Sequence, residues 1–215
     1  MSKCIIMCAG EFEPLQIEKE EDDFVIAADN GLSYLLELGI LPDIVIGDYD
    51  SLSPEGQRTL RELEETQPER VVHLPVEKDD TDTMAAVREG LARGYDTFYL
   101  YAALGGRLDH TLANIQTLAF IRSKGAKGYI LSADSMLFVL SNETREFSKG
   151  FRGGFSLFSL GDRCCGVTIR GMKYELEDAE ITNTFPIGVS NYIPGDQKAS
   201  VTIREGMALA YVSWG

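Results

Sequence analysis

Residues 43–51 read DIVIGDYDS. An apolar run, Ile44-Val45-Ile46, closes on Gly47 and then on two aspartates, Asp48 and Asp50, one residue apart. A run that is apolar on both faces suits a strand covered on both sides, as in a parallel sheet. Ending it on two like charges admits two readings. One is a polar turn, with Ser51 or Ser53 capping a following helix. The other is a pair of carboxylates facing magnesium, which prefers oxygen ligands and keeps several waters.

The flanking sequence repeats the pattern. CIIMCAG (4–10) and FVIAAD (24–29) are apolar runs that end in small or acidic residues, and RVVHLP (70–75), TFYLYAAL (97–104) and GYILSA (128–133) continue the series. Between them lie segments of helical period. LSYLLELG ends on Gly39, residues 55–70 are charged, DTMAAVREGLARG puts Met84, Val87 and Leu91 on one face, and HTLANIQTLAFIRSKG puts Leu112, Ile115 and Leu118 inward. Apolar strands alternating with helices predict a mostly parallel, Rossmann-like sheet with helices on both faces. From about residue 136 the period shortens. MLFVLS, GGFSLFSLG, GVTIRG, KYELE, GVSNYI, ASVTIREG and MALAYVSW read as short strands parted by turns, an all-β sandwich or barrel. The fold class is α/β followed by a β-sandwich, with domains expected at 1–138 and 139–215.

Composition narrows the function. The 215 residues carry a formal net charge of −14, which argues against general nucleic-acid binding and against docking on anionic lipid. The four cysteines, Cys4, Cys8, Cys164 and Cys165, form no C-x-x-C and no Cys/His cluster, so a zinc site is not expected. Buried thiols in a reducing cytoplasm are the expectation. The N-terminal apolar run is too short for a signal peptide, and no stretch reaches the ~20 apolar residues of a membrane-spanning helix. The expected location is cytoplasmic.

In a doubly wound sheet, ligands bind beyond the carboxyl ends of the strands. Asp29 follows the second strand, Asp48 and Asp50 the third, EKDDTD (77–82) the fourth and LGGRLDH (104–110) the fifth. Parallel strands bring all four segments to one rim. Within KDDTD, Asp and Thr side chains can cap a helix, yet three aspartates in four positions repel one another unless a cation intervenes. In LGGRLDH, Gly105 and Gly106 let backbone approach a ligand closely, the following helix offers free N–H groups and Arg107 carries a planar fork suited to phosphate. A tight turn with a surface arginine is the alternative. His110 stands at that helix start, and His73 alternates within its strand as a structural residue. Neither a Walker A loop nor G-x-G-x-x-G is present.

In order and spacing, ILPDIVIGDYDSL, EKDDTDTMAAV and ALGGRLDHTLANI resemble the three signature segments of thiamine pyrophosphokinases, and GMKYEL and GVSNYI resemble the family's later motifs. The resemblance spans nearly the whole chain. It implies magnesium-dependent transfer of a pyrophosphoryl group from ATP to the hydroxyl of thiamine, giving thiamine diphosphate and AMP. It also implies a homodimer with thiamine bound near the subunit interface. Carried over residue by residue, it implies metal-binding Asp48, Asp50 and Asp82, and catalytic Asp50, Asp82, Arg107 and Asp109. The implied ATP site holds Asp29, Thr81, Gly105, Gly106, Arg107, His110 and Asn114, and the implied thiamine site Ser190 and Asn191. Two positions depart from the pattern. Asn30 stands where glycine is expected, and Ala9-Gly10 where paired glycines are common; Asn tolerates positive φ better than most residues.

Attack of an alcohol on the β-phosphorus needs in-line positioning and charge neutralisation. Asp82 or Asp109 could accept the hydroxyl proton, and sequence does not choose between them. Tyr174, Tyr192 and Trp214 could face a cationic heterocycle or fill the sandwich core. Two other functions fit parts of the pattern: a metal-dependent nucleotide-sugar glycosyltransferase, and a non-catalytic nucleotide or thiamine sensor.

Overall fold

A computed structural model describes residues 2–13, 15–75 and 80–214. Glu77, Lys78 and Asp79 of the EKDDTD segment lie outside the described residues. Two compact units follow each other, Met1–Ala133 and Asp134–Gly215. The division expected at 138/139 would cut a strand that lies wholly in the second unit.

Among the described residues the first unit has six strands: β1 (Cys4–Met7), β2 (Phe24–Ala28), β3 (Ile44–Gly47), β4 (Val71–His73), β5 (Thr97–Tyr101) and β6 (Lys127–Leu131). Their order is β6-β5-β1-β2-β3-β4, and every pairing is parallel. The chain steps outward from β1 to β4, then returns to the other side of β1. The strand order therefore reverses between β1 and β5, the place where ligands bind in such sheets.

Among the described residues, four α-helices connect the strands, α1 (Gly31–Glu37), α2 (Pro54–Thr66), α3 (Asp82–Ala92) and α4 (Leu108–Ser123), with a short 3-10 turn at Pro68–Arg70. Ile5, Met7, Val25, Ala27 and Val45 form one buried cluster with Leu32 and Leu35 of α1 and Leu60 and Leu63 of α2. On the other face α3 packs so closely that a methyl group on Gly90 would strike Phe98 and Cys4. Apolar residues of both parities along β1 are thereby buried, which explains its unbroken apolar sequence.

Two helix faces differ from expectation. In α3 the buried stripe is Thr83, Ala86, Val87 and Gly90, with Met84 and Leu91 only half-buried. Small residues lie innermost because the helix sits close to the sheet. In α4 the buried residues are Asn114, Thr117, Leu118 and Ile121, while Leu112 is 55% exposed. The helix turns its polar Asn114 inward to serve the turn before it, and that rotation carries Leu112 outward.

The second unit holds two antiparallel sheets. One runs β12 (Asn191–Ile193), β9 (Gly153–Ser159), β14 (Met207–Ser213) and β7 (Ser135–Ser141). The other runs β11 (Leu176–Thr182), β10 (Arg163–Arg170), β13 (Ala199–Thr202) and β8 (Thr144–Phe147). Strand β9 touches β11 and β10 touches β14, so Phe155, Leu157, Val167, Ile169, Val201 and Val212 close a buried core. KYELE does not open a strand. Glu175 accepts from the backbone N–H of Gly171 at 2.7 Å, which closes a turn, and β11 starts at Leu176.

Candidate active site

The rim at the carboxyl ends of β1, β2, β3 and β5 is made by backbone that leaves its strands abruptly. Asp29, Tyr49 and Ala102 all have positive φ, at 50°, 65° and 48°. Such strain costs about 1–3 kcal/mol per residue and gathers where geometry serves a ligand. Asp29 is held by its N–H donating to the Ile46 carbonyl at 2.8 Å. Gly47 makes room for it: a Cβ there would lie 3.0 Å from the Asp29 Cα. The left-handed residue is Asp29, not Asn30, whose φ is −61°.

Tyr49 anchors the turn between the paired aspartates. Its ring is 8% exposed, and its hydroxyl reaches the carbonyls of Val45 at 3.0 Å and Val72 at 2.8 Å. With that side chain tied beneath the loop, Asp48 and Asp50 come together above it. Carboxylate oxygens of Asp29, Asp48 and Asp50 lie within 4.8 Å of one another. The Ser51 hydroxyl donates to Asp29 Oδ2 at 2.9 Å. Asp29 Oδ1 is buried and has no hydrogen-bond partner. Burial raises the Asp29 carboxyl above its ordinary range against the opposing effects of the Ser51 hydroxyl and the Asn30 backbone N–H, and Asp82 and Asp48 add to the rise. Three converging carboxylates with an orphaned buried oxygen form an all-oxygen donor set, the chemistry of a hard divalent cation.

Two helix starts complete the rim. Thr81 caps α3, its hydroxyl accepting from the Met84 N–H at 3.2 Å, and Asp80 pairs with Arg88 at 2.5 Å. Before α4, Gly105 and Gly106 have φ of 75° and 63°. Asn114 Nδ2 donates to the Ala103 carbonyl at 2.7 Å and fixes this turn from below. Arg107 Nη2 meets Asp109 Oδ2 at 2.6 Å on the surface. That hydrogen bond holds the Asp109 carboxyl below its ordinary range.

A cavity of about 810 Å³ joins these parts. Asp29, Asp48, Asp50, Thr81 and Asp82 line it, as do Gly105, Gly106, Arg107, His110 and Asn114. Asp109 does not, because its carboxylate turns to Arg107. Asp82 lies in the wall but outside the group of three converging carboxylates, where Asp29 stands. His73 is outside as well, paired with Glu64 at 2.8 Å. Sequence reasoning did not place Cys8, Glu11, Ser51 or Thr83 in the site, yet all four line the wall. Their signal is position alone: each lies at a strand end or helix start on the same rim.

In the second unit, Ser190 is exposed with φ 64°, and its N–H donates to Ser156 Oγ at 3.2 Å. Asn191 is 8% exposed. Its Oδ1 accepts from the N–H groups of Tyr174 and Tyr192, and its Nδ2 donates to the Tyr174 carbonyl. The amide thus clamps the backbone that carries Tyr174. Tyr174 and Tyr192 are not sandwich core: they are 57% and 43% exposed, near exposed Phe185, Ile187 and Val189 in sequence.

Residues 15–130 match the family profile described as the catalytic domain of thiamin pyrophosphokinase, and residues 141–208 match its vitamin B1 binding domain. The chain belongs to the thiamin pyrophosphokinase family. A thiamine pyrophosphokinase of Bacillus subtilis (strain 168) is 28% identical over 180 residues, covering 80% of this chain and 79% of that protein. A solved thiamin pyrophosphokinase family protein from Enterococcus faecalis superposes with a TM-score of 0.82 at 26% identity over the full length of both chains. The crystal structure of the Bacillus subtilis thiamine pyrophosphokinase gives a TM-score of 0.87 at 24% identity over both full chains, a likeness of fold. A thiamin pyrophosphokinase is a transferase that moves the pyrophosphoryl group of ATP onto thiamine. No helix among the described residues is long and apolar enough to cross a membrane.

Proposed function

We propose that the cavity of the first unit binds ATP with Mg2+ and that the chain transfers the pyrophosphoryl group to thiamine. The convergence of Asp29, Asp48 and Asp50 beside the Gly105-Gly106 turn carries this reading. The orphaned Asp29 Oδ1 and the all-oxygen donor set fit magnesium, which would be held by these three residues with Asp82 nearby. Magnesium bound there supplies charge neutralisation on the phosphates.

The chain's own groups do the rest. Thr81, Asn114 and the glycine turn hold the backbone that meets the nucleotide. Arg107 steadies negative charge on the transferred group. The thiamine hydroxyl oxygen bonds to the β-phosphorus, the bond from that phosphorus to the α–β bridging oxygen breaks, and AMP leaves. Asp82 is the better acceptor for the hydroxyl proton. Asp109 is committed to Arg107, and a carboxyl held low is a weaker base.

Thiamine binds to the second unit, on the side of Ser190 and Asn191. The exposed Tyr174, Phe185, Ile187 and Tyr192 support a homodimer in which a second copy covers this apolar surface. ATP as substrate and four free thiols support a cytoplasmic location.

Incubation with ATP, Mg2+ and thiamine tests the reading. Thiamine diphosphate and AMP should appear together, and omission of any one component should stop both. ATP and thiamine binding without AMP release would make the chain a sensor. Hydrolysis of a nucleotide sugar in place of ATP would make it a glycosyltransferase.

A further inference from the structure

We infer that Glu11 recognises the ribose of the nucleotide and selects ribonucleotides over their deoxy analogues; this rests on the ATP-binding role proposed for the cavity. Glu11 follows β1 and lies against the turn that follows β5, so it sits where the strand order reverses. Backbone bonds fasten it there. The Gly10 N–H donates to the Ala102 carbonyl at 2.8 Å, and the Glu11 N–H to the Leu104 carbonyl at 2.8 Å. The Tyr34 hydroxyl donates to the Gly10 carbonyl at 3.1 Å, and the next residue, Phe12, stacks on the Tyr34 ring with centroids 4.5 Å apart.

The side chain of Glu11 occupies the space that a side chain at position 105 would need. A Cβ on Gly105 would come 2.4 Å from Glu11 Oε2 and 2.5 Å from its Cβ. The carboxylate lines the cavity, is exposed and has no hydrogen-bond or ion-pair partner among the described residues. It is an acceptor-only group on a fastened backbone, and it faces the cavity.

Charge decides what it can take. A carboxylate repels phosphate oxygens unless a cation stands between them, and the converging carboxylates lie elsewhere, after β2 and β3. With strands about 4.8 Å apart, Glu11 is one to two strand spacings from that group along the rim. This is the order of the reach from the phosphates of a nucleotide back to its sugar. The donors at that point are the ribose 2′ and 3′ hydroxyls, and an acidic side chain accepts from the ribose 2′-hydroxyl in dinucleotide-binding sheets.

The test is calorimetric binding of ATP, 2′-deoxy-ATP and 3′-deoxy-ATP with Mg2+ and without thiamine, for the natural chain, Glu11→Gln and Glu11→Ala, beside steady-state turnover. The natural chain should bind ATP about tenfold more tightly than at least one deoxy analogue, the scale of one hydrogen bond to a charged acceptor. Glu11→Ala should lose affinity for ATP by about the same factor and bind all three alike. Glu11→Gln, which keeps a carbonyl acceptor, should fall between. In turnover the change should appear in KM for ATP with kcat nearly unchanged. Equal affinity of the natural chain for all three nucleotides, or undiminished discrimination by Glu11→Ala, would overturn the inference. Because binding is read apart from turnover, a chain that binds ATP but makes no thiamine diphosphate would refute the reaction while leaving the ribose contact to be judged.

Discussion

The Ser51 hydroxyl donates to Asp29 Oδ2 across 2.9 Å, joining the loop after β3 to the residue that follows β2. Ser53, not Ser51, caps α2, accepting from the Gly56 N–H at 3.1 Å. The two serines of the DSLS segment therefore have separate tasks. Ser51→Ala should leave α2 and the melting temperature nearly unchanged and weaken Mg2+ or Mn2+ binding by about tenfold, the scale of losing a group that orients a ligand. Titration of the cation with the variant reads this directly.

Asp29 gives a pH and stability prediction. Burial raises its pKa in the folded chain, so the folded state holds that proton more tightly than the unfolded state does. The contribution is present below the ordinary carboxylate pKa and is lost as pH rises through the raised value. Above that value, burial works against the ionised form of this half-buried carboxylate, and the Ser51 hydrogen bond offsets it only in part. Asp29→Asn should melt higher than the natural chain in EDTA at pH 7, and the gap should close as pH falls below 4. Added Mg2+ should raise the melting temperature of the natural chain and leave that of the variant unchanged.

Asp50→Asn should abolish turnover, by at least about a hundredfold if one of three cation ligands is lost, while the fold survives. Asp50 is exposed, so no core contact goes with its charge. Circular dichroism and the AMP assay on the same sample separate the two effects, and near-normal activity in a folded variant would remove Asp50 from the site.

Arg107→Ala should raise KM for ATP or lower kcat by about tenfold or more without loss of stability. Among the described residues Arg107 pairs with Asp109 on the surface, and exposed ion pairs contribute little to stability. The pKa of the freed Asp109 should also rise toward the ordinary carboxylate range, observable by NMR titration.

Tyr49→Phe should cost about 1 kcal/mol, because the hydroxyl that reaches the Val45 carbonyl within β3 and the Val72 carbonyl within β4 is lost from a buried position. A denaturant midpoint shift without a change in slope would show that the effect is on stability alone.

Much of the fold can be read along the chain. In CIIM, FVIAA and DIVIG, unbroken apolar runs between helical periods require a parallel sheet covered on both faces, and each strand end names a rim residue. The register of helices is less legible. Leu112 has the spacing of a core residue, yet it lies outside because Asn114 must turn inward to reach the Ala103 carbonyl. Asn30 has the residue type suited to positive φ, yet the strained residue is Asp29, held by a bond to Ile46 that only the neighbouring strand provides.

The same division holds for the site. By itself the sequence determined the chemistry: aspartates, glycines and an arginine at successive strand ends, with the spacing of one family. Tertiary structure alone decided the grouping. Asp29 is 19 positions from Asp48 in the chain, and it replaces Asp82 in the converging set because β2 and β3 are adjacent strands while α3 begins farther along the rim. Glu11 is indistinguishable in the sequence from the other acidic residues of its segment. It enters the cavity because the reversal of strand order between β1 and β5 sets its loop against Gly105, and such proximity arises from the packing of distant segments.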